Sequence, residues 1–178
     1  MKEAFTRKSL LILGRGIGQV MFQNNALSGL LMLIGIFLNS WQMGLLAVSG
    51  NIISTLTARI SGYDCDDIKN GLYGFNGTLV GIAVGVFMLL TVSSLMLMAI
   101  ASCASTYIAR FFNMQRMLPG FTTLFILSVW MLLGLCSWLM PDMLLVSDTE
   151  TPASSSINYL QCFSMSIGQV MFQGNIMT

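Results

Sequence analysis

The segment Ile17-Gly18-Gln19-Val20-Met21-Phe22-Gln23 occurs twice. It returns as Ile167-Gly168-Gln169-Val170-Met171-Phe172-Gln173, and Asn25 is matched by Asn175 at the same offset of 150 residues. Seven identical residues at one fixed offset mark a duplicated unit. The chain therefore reads as one repeat, residues 1–158, followed by the opening of a second, residues 159–178. The surroundings of the two copies narrow what the repeat can be. Long apolar runs alternate with short polar breaks, a pattern that predicts membrane-spanning helices. Charged residues are 8% of the chain, where a soluble domain carries roughly 25%. The apolar runs are continuous and not alternating, which argues against a transmembrane barrel.

The same scarcity of polar chemistry excludes several functions. The net charge is +1 and the cations form no stripe, so no nucleic-acid partner is expected. Histidine is absent, which removes the commonest metal ligand and the commonest general base. No metal or other cofactor is expected. Cys65, Cys103, Cys136 and Cys162 are scattered without a Cys-x-x-Cys pair and read as packing residues or free thiols. Asp64, Asp66 and Asp67 lack the loop glycine and distal glutamate of a calcium site and read as a solvated turn. Gly14-x-Gly16-x-Gly18 follows no strand, so it is not a nucleotide-binding turn. Without a histidine, a metal cluster or a buried acid pair, an enzyme is disfavoured. Arg15 and Gly16 interrupt the first apolar run, which disfavours a cleaved signal peptide.

Along the chain, Ser9–Gln23 and Asn25–Leu38 are each short for a span and together predict a broken or re-entrant segment, either one discontinuous crossing or a half-helix and a tilted helix. Gln23, Asn24 and Asn25 fill the break, where a site is expected, because irregular backbone at membrane depth is tolerated only beside protein or water. Trp41–Ile60 is a second crossing. The glycine-dense Gly71–Gly81 leads into a third that runs to Leu90, and Gly77, Gly81 and Gly85 form a small-residue packing stripe. Leu95–Phe112 and Phe121–Met140 complete five crossings, and Pro141–Tyr159 is a polar linker. With a cytoplasmic N-terminus all eight Lys and Arg fall on one side, as expected of a cell-membrane protein. An odd number of crossings then carries the second signature copy to the opposite face, which is an inverted-topology repeat.

These residues resemble the urea transporters, the urea channel family, in its bacterial form. The resemblance rests on Gly16–Asn25, on Ser28-Gly29-Leu30, on Gly71-Leu72-Tyr73-Gly74-Phe75-Asn76-Gly77-Thr78-Leu79-Val80-Gly81 and on Leu118–Thr122. It implies an all-α membrane protein, one half of an inverted-repeat channel that passes urea passively. It also implies a homotrimer with one pore per protomer. The family's pore-lining positions match Gln19, Val20 and Phe22, then Phe75 and Leu79, then Thr122, with Gln169, Val170 and Phe172 from the second copy. There are departures. Gln169 stands where family members often carry an acidic residue, while Ala26 and Leu124 stand where prolines are expected. The length departs as well, because the family's two halves share one chain. A fragment or interrupted gene, completed by a missing second half, is the first explanation.

Urea is planar and neutral, with one acceptor and two donating amides. Burying a bare amide costs about 2–7 kcal/mol, which a pore must offset without holding the solute too tightly. Opposed rings such as Phe22 and its second-copy counterpart form a flat slot, and Gln19 offers a donor and an acceptor. Two alternatives stand beside this reading. One is a truncated protein that inserts in the bilayer but conducts nothing. The other is a channel for another small neutral amide.

Overall fold

Several helices in this chain start at short polar side chains that satisfy exposed backbone N–H groups. A computed structural model describes residues 2–115 and 123–145. The elements are α1 (Lys2–Gly18), a 3-10 turn (Gln19–Met21), α2 (Ala26–Asn39), α3 (Trp41–Ile60), α4 (Cys65–Lys69), α5 (Gly74–Phe87), α6 (Val92–Gln115), α7 (Thr123–Leu139) and a second 3-10 turn (Pro141–Met143). Asn25 caps α2 by accepting from Leu27 N at 2.9 Å. Ser40 caps α3 through Met43 N at 3.3 Å. Before α6, Ser94 Oγ accepts from Thr91 N at 2.9 Å and Thr91 Oγ1 accepts from Ser94 N at 3.2 Å, a reciprocal capping box. Asp64 caps α4 through Asp66 N and Asp67 N at 2.7 and 3.2 Å. The acidic cluster is thus a capped turn.

α5 lies at the centre. Every residue from Gly74 to Val84 is buried, and the helix packs on α3 above all, then on α6, α1 and α7. Glycine makes the α3–α5 contact possible. A Cβ added at Gly50 would run into the Gly77 carbonyl, one at Gly77 into the Gly50 carbonyl, and one at Gly81 into the Leu46 carbonyl. The two backbones therefore touch, as small residues permit between membrane helices. Gly77 and Gly81 form the expected packing stripe. At Gly85 the fit is looser, with Leu46 Cδ1 at 3.2 Å from an added Cβ.

Buried polar side chains tie the same helices together. Asn51, fully buried on α3, donates from Nδ2 to Thr78 Oγ1 on α5 at 2.9 Å and to the Leu13 carbonyl on α1 at 3.2 Å. Its Oδ1 accepts from Thr55 Oγ1 at 3.2 Å. Ser54 Oγ donates to the Ser102 carbonyl on α6 at 2.9 Å. In lipid such groups must find partners inside the protein, and α3 is the helix that supplies them.

Of the five expected crossings, two helices among the described residues are long and apolar enough to span, or three spans if the bent α1–α2 pair is counted as one. The two helices are α3 and the stretch Val92–Phe112 of α6. The α1–α2 pair passes only when taken together, bent by 75°, as a broken span or a re-entrant loop. α5 has 14 residues and α7 has 17. At 1.5 Å per residue α5 reaches about 21 Å, short of a hydrocarbon core of about 30 Å. The expected run to Leu90 stops at Phe87 because Met88 turns extended and bridges Leu144. Leu89 N donates to Met143 O and Leu145 N donates to Phe87 O, both at 2.9 Å. Residues 71–73 likewise form a turn and not the start of the helix.

Replacing Gly77 with Val is expected to cost about 1–3 kcal/mol, the usual penalty for overpacking. Gly134→Ala, where an added Cβ meets nothing within 4 Å, is expected to gain up to about 1 kcal/mol in helix propensity. Thermal unfolding in detergent compares them; wild-type stability in Gly77→Val would contradict the close approach.

Candidate functional site

The first signature copy ends a helix abruptly. α1 stops at Gly18, the chain tightens into the 3-10 turn, and Phe22 takes a left-handed conformation with φ 56°. Phe22 N donates to Gln19 O at 2.9 Å and Gln23 N donates to Gly18 O at 3.0 Å, which satisfies carbonyls left open by the helix end. A bulky residue in that region stores about 1–3 kcal/mol of strain. The chain then turns into α2 behind the Asn25 cap. A Cβ on Gly18 would lie 2.6 Å from Gln23 O and 2.7 Å from Asn25 O, so the hairpin closes only around glycine.

A second segment holds this break in place. Arg15 Nη1 donates to the Lys69 carbonyl at 3.2 Å, Gln19 Nε2 to the Asn70 carbonyl at 3.0 Å, and Asn24 Nδ2 to Asn70 Oδ1 at 3.1 Å. Gly71 follows with φ +77°, its Cα pressed against the backbone of Arg15 and Gly16. The turn that opens the Gly71–Gly81 segment is therefore latched to the signature copy. Just before it, two backbone N–H groups hold the Asp64 carboxyl below the usual range, while burial pushes Asp67 up.

Of the expected site residues, Val20, Phe75 and Leu79 come together in one apolar cluster and are buried, with 5%, 7% and 3% exposure. Gln19 is half-buried and one hydrogen of its amide nitrogen goes to the Asn70 carbonyl, which leaves Oε1 and a second N–H. Phe22 stands apart at 62% exposure. Thr122, Gln169, Val170 and Phe172 lie outside the described residues, as does Cys162. Among the polar residues of the break, Asn24 binds Asn70 and Asn25 caps α2. Sequence reasoning missed Asn70 and Asn51. For Asn51 the signal was present, a polar amide in mid-span. Asn70 sits in a polar turn and carries no local mark of its partner 46 residues away.

The elements define a helical membrane protein whose first two helices form a bent pair, with the break between them anchored by polar side chains. A family model described as "Urea transporter" matches residues 10–178, and the chain belongs to the urea transporter family, one of transporters and not enzymes. Urea transporter 1 of Mus musculus is 44% identical over 73 residues, 41% of this chain and 19% of that protein. The Ovis aries protein of the same name is 41% identical over the same shares. The matched stretch thus spans about a fifth of these relatives.

Asn70→Ala keeps the carbonyl that Gln19 uses but removes the Asn24 contact. It is expected to loosen the break by about 0.5–1.5 kcal/mol, read as faster hydrogen–deuterium exchange across residues 19–25. Unchanged exchange would show that the latch carries no weight.

Proposed function

We propose that this chain forms the first half of a passive urea channel, with the solute path beginning at the break in its first crossing. The observation that carries the reading is the Gln19–Asn70 bond, 51 residues apart in sequence, which ties the signature copy to the residue just before the Gly71–Gly81 segment, beside a buried aromatic and aliphatic cluster. Gln19 Oε1 accepts an amide hydrogen from urea, and the Phe22 ring supplies a flat apolar face for the planar solute. Phe75, Leu79 and Val20 form the wall behind it. Polar contacts of this kind offset part of the roughly 2–7 kcal/mol cost of desolvating an amide.

The rest of the path belongs to the same proposal. Thr122 and, from residues 159–178, Gln169, Val170 and Phe172 supply further contacts. The second copy enters from the opposite face as an inverted repeat. The N-terminus is cytoplasmic, the membrane is the bacterial inner membrane, and the assembly is a trimer. A missing second half completes each pore.

Reconstituted vesicles test the reading by their response to an osmotic urea gradient. Urea permeability above that of protein-free vesicles is expected once the chain is co-reconstituted with the second half of a full-length relative. Gln19→Leu should lower it about two- to tenfold, the value of one hydrogen bond. Phe22→Gly should relieve backbone strain and stabilise the fold while lowering permeability, because the ring is lost. Permeability equal to that of protein-free vesicles would overturn conduction by this chain. If co-expression then lowered flux through a full-length relative, the chain would be a non-conducting partner.

A further inference from the structure

The bend between α1 and α2 leaves an open apolar cavity of about 500 Å³, walled by residues such as Leu10, Leu13, Ile17, Leu30, Leu33 and Val48. A second cavity of about 100 Å³ continues from it along the α1–α3 seam, between Ile12 and Leu13 on one side and Ile52, Leu56 and Arg59 on the other. Leu13 borders both. The two make one furrow. From Val48 to Arg59 it follows α3 for about 16 Å at 1.5 Å per residue. Its walls are mostly aliphatic, with Asn51 and Thr55 along α3, and at its end the exposed Arg59 lines it and the exposed Lys8 precedes its Ser9 border. Lys69–Asp66 is the one ion pair among the described side chains, those of residues 8–112 and 123–145, so no carboxylate among them neutralises Lys8 or Arg59.

We infer that this furrow binds an anionic phospholipid, with an acyl chain lying between α1, α2 and α3 and the phosphate held by Lys8 and Arg59. Both α3 and the α1–α2 pair meet the length and composition of membrane spans, so the furrow opens where lipid is the solvent. Its shape asks for a ligand that is purely apolar over most of its length and negative at one end. One phospholipid molecule meets both demands. A protein segment would need an aliphatic face with an acid placed at its end. Basic pockets between membrane helices recognise anionic headgroups in this way, and long cationic side chains reach along apolar walls to do it. The site lies apart from the Gln19–Asn70 latch and does not depend on the urea reading.

The test uses the full chain, purified in detergent and supplied with equal amounts of phosphatidylglycerol and phosphatidylcholine, with bound lipid counted by native mass spectrometry. Preferential retention of phosphatidylglycerol is expected. Lys8→Gln and Arg59→Gln, both at exposed positions, should each weaken retention about fivefold, the value of one surface cation near an anionic lipid. Ile52→Trp should block the furrow and release the lipid with both charges in place. Circular dichroism confirms that each variant remains helical. Equal retention of the two lipids, or undiminished retention by the doubly neutralised variant, would overturn the inference. So would a photo-crosslinker at Ile52 that captures protein in place of lipid.

Discussion

Backbone that leaves a helix inside an apolar medium must find hydrogen-bond partners within the protein, because the bilayer provides none. The rest of this structure follows from how the chain meets that demand between residues 19 and 25. The 3-10 turn and the left-handed Phe22 return two amide N–H groups to the carbonyls of Gly18 and Gln19. The side chains of Gln19 and Asn24 are drawn to Asn70. The break is thus a defined turn, held on one side by its own backbone and on the other by a loop from the far side of α3. That loop stays in reach because α3 and α5 touch backbone to backbone through Gly50 and Gly77.

Position and chemistry are linked by this arrangement. The glycine contact fixes α5, α5 fixes the turn at Asn70 and Gly71, and the turn fixes Gln19. The Gln19 amide, which the proposal assigns to the solute, therefore depends on the glycine packing between α3 and α5. Asn51 reinforces the chain of contacts by bonding α1, α3 and α5 at one point. The proposed slot has one wall here: a polar acceptor, an exposed ring and an apolar cluster. A planar solute needs an opposing wall, and residues 167–173 repeat the chemistry that would build it.

Much of the fold was legible because apolar periodicity and lipid solvation leave few choices. The interruption between the first two helices was readable from Arg15, Gly16, Gln19 and the paired asparagines, and the packing role of Gly77 and Gly81 from their spacing. The length of α5 was not. Its end at Phe87 is decided by the pairing of Met88 with Leu144, a contact between distant residues that no local pattern records. The latch was hidden for the same reason, since Asn70 resembles any loop asparagine until its partners are known. At the site, the motif residues Val20, Phe75 and Leu79 do share one cluster. The exposure of Phe22 and the hydrogen bond from the Gln19 nitrogen depend on side-chain geometry that spacing cannot supply.

The central claim is that two copies of one signature wall a single path from opposite faces of the membrane. The most direct measurement places a lone cysteine at Gln23 or at Gln173 in a background freed of the native cysteines, in sealed vesicles of known orientation. A membrane-impermeant thiol reagent is then applied to one side at a time. The account predicts that the two positions react from opposite sides. Reaction of both from the same side would contradict it.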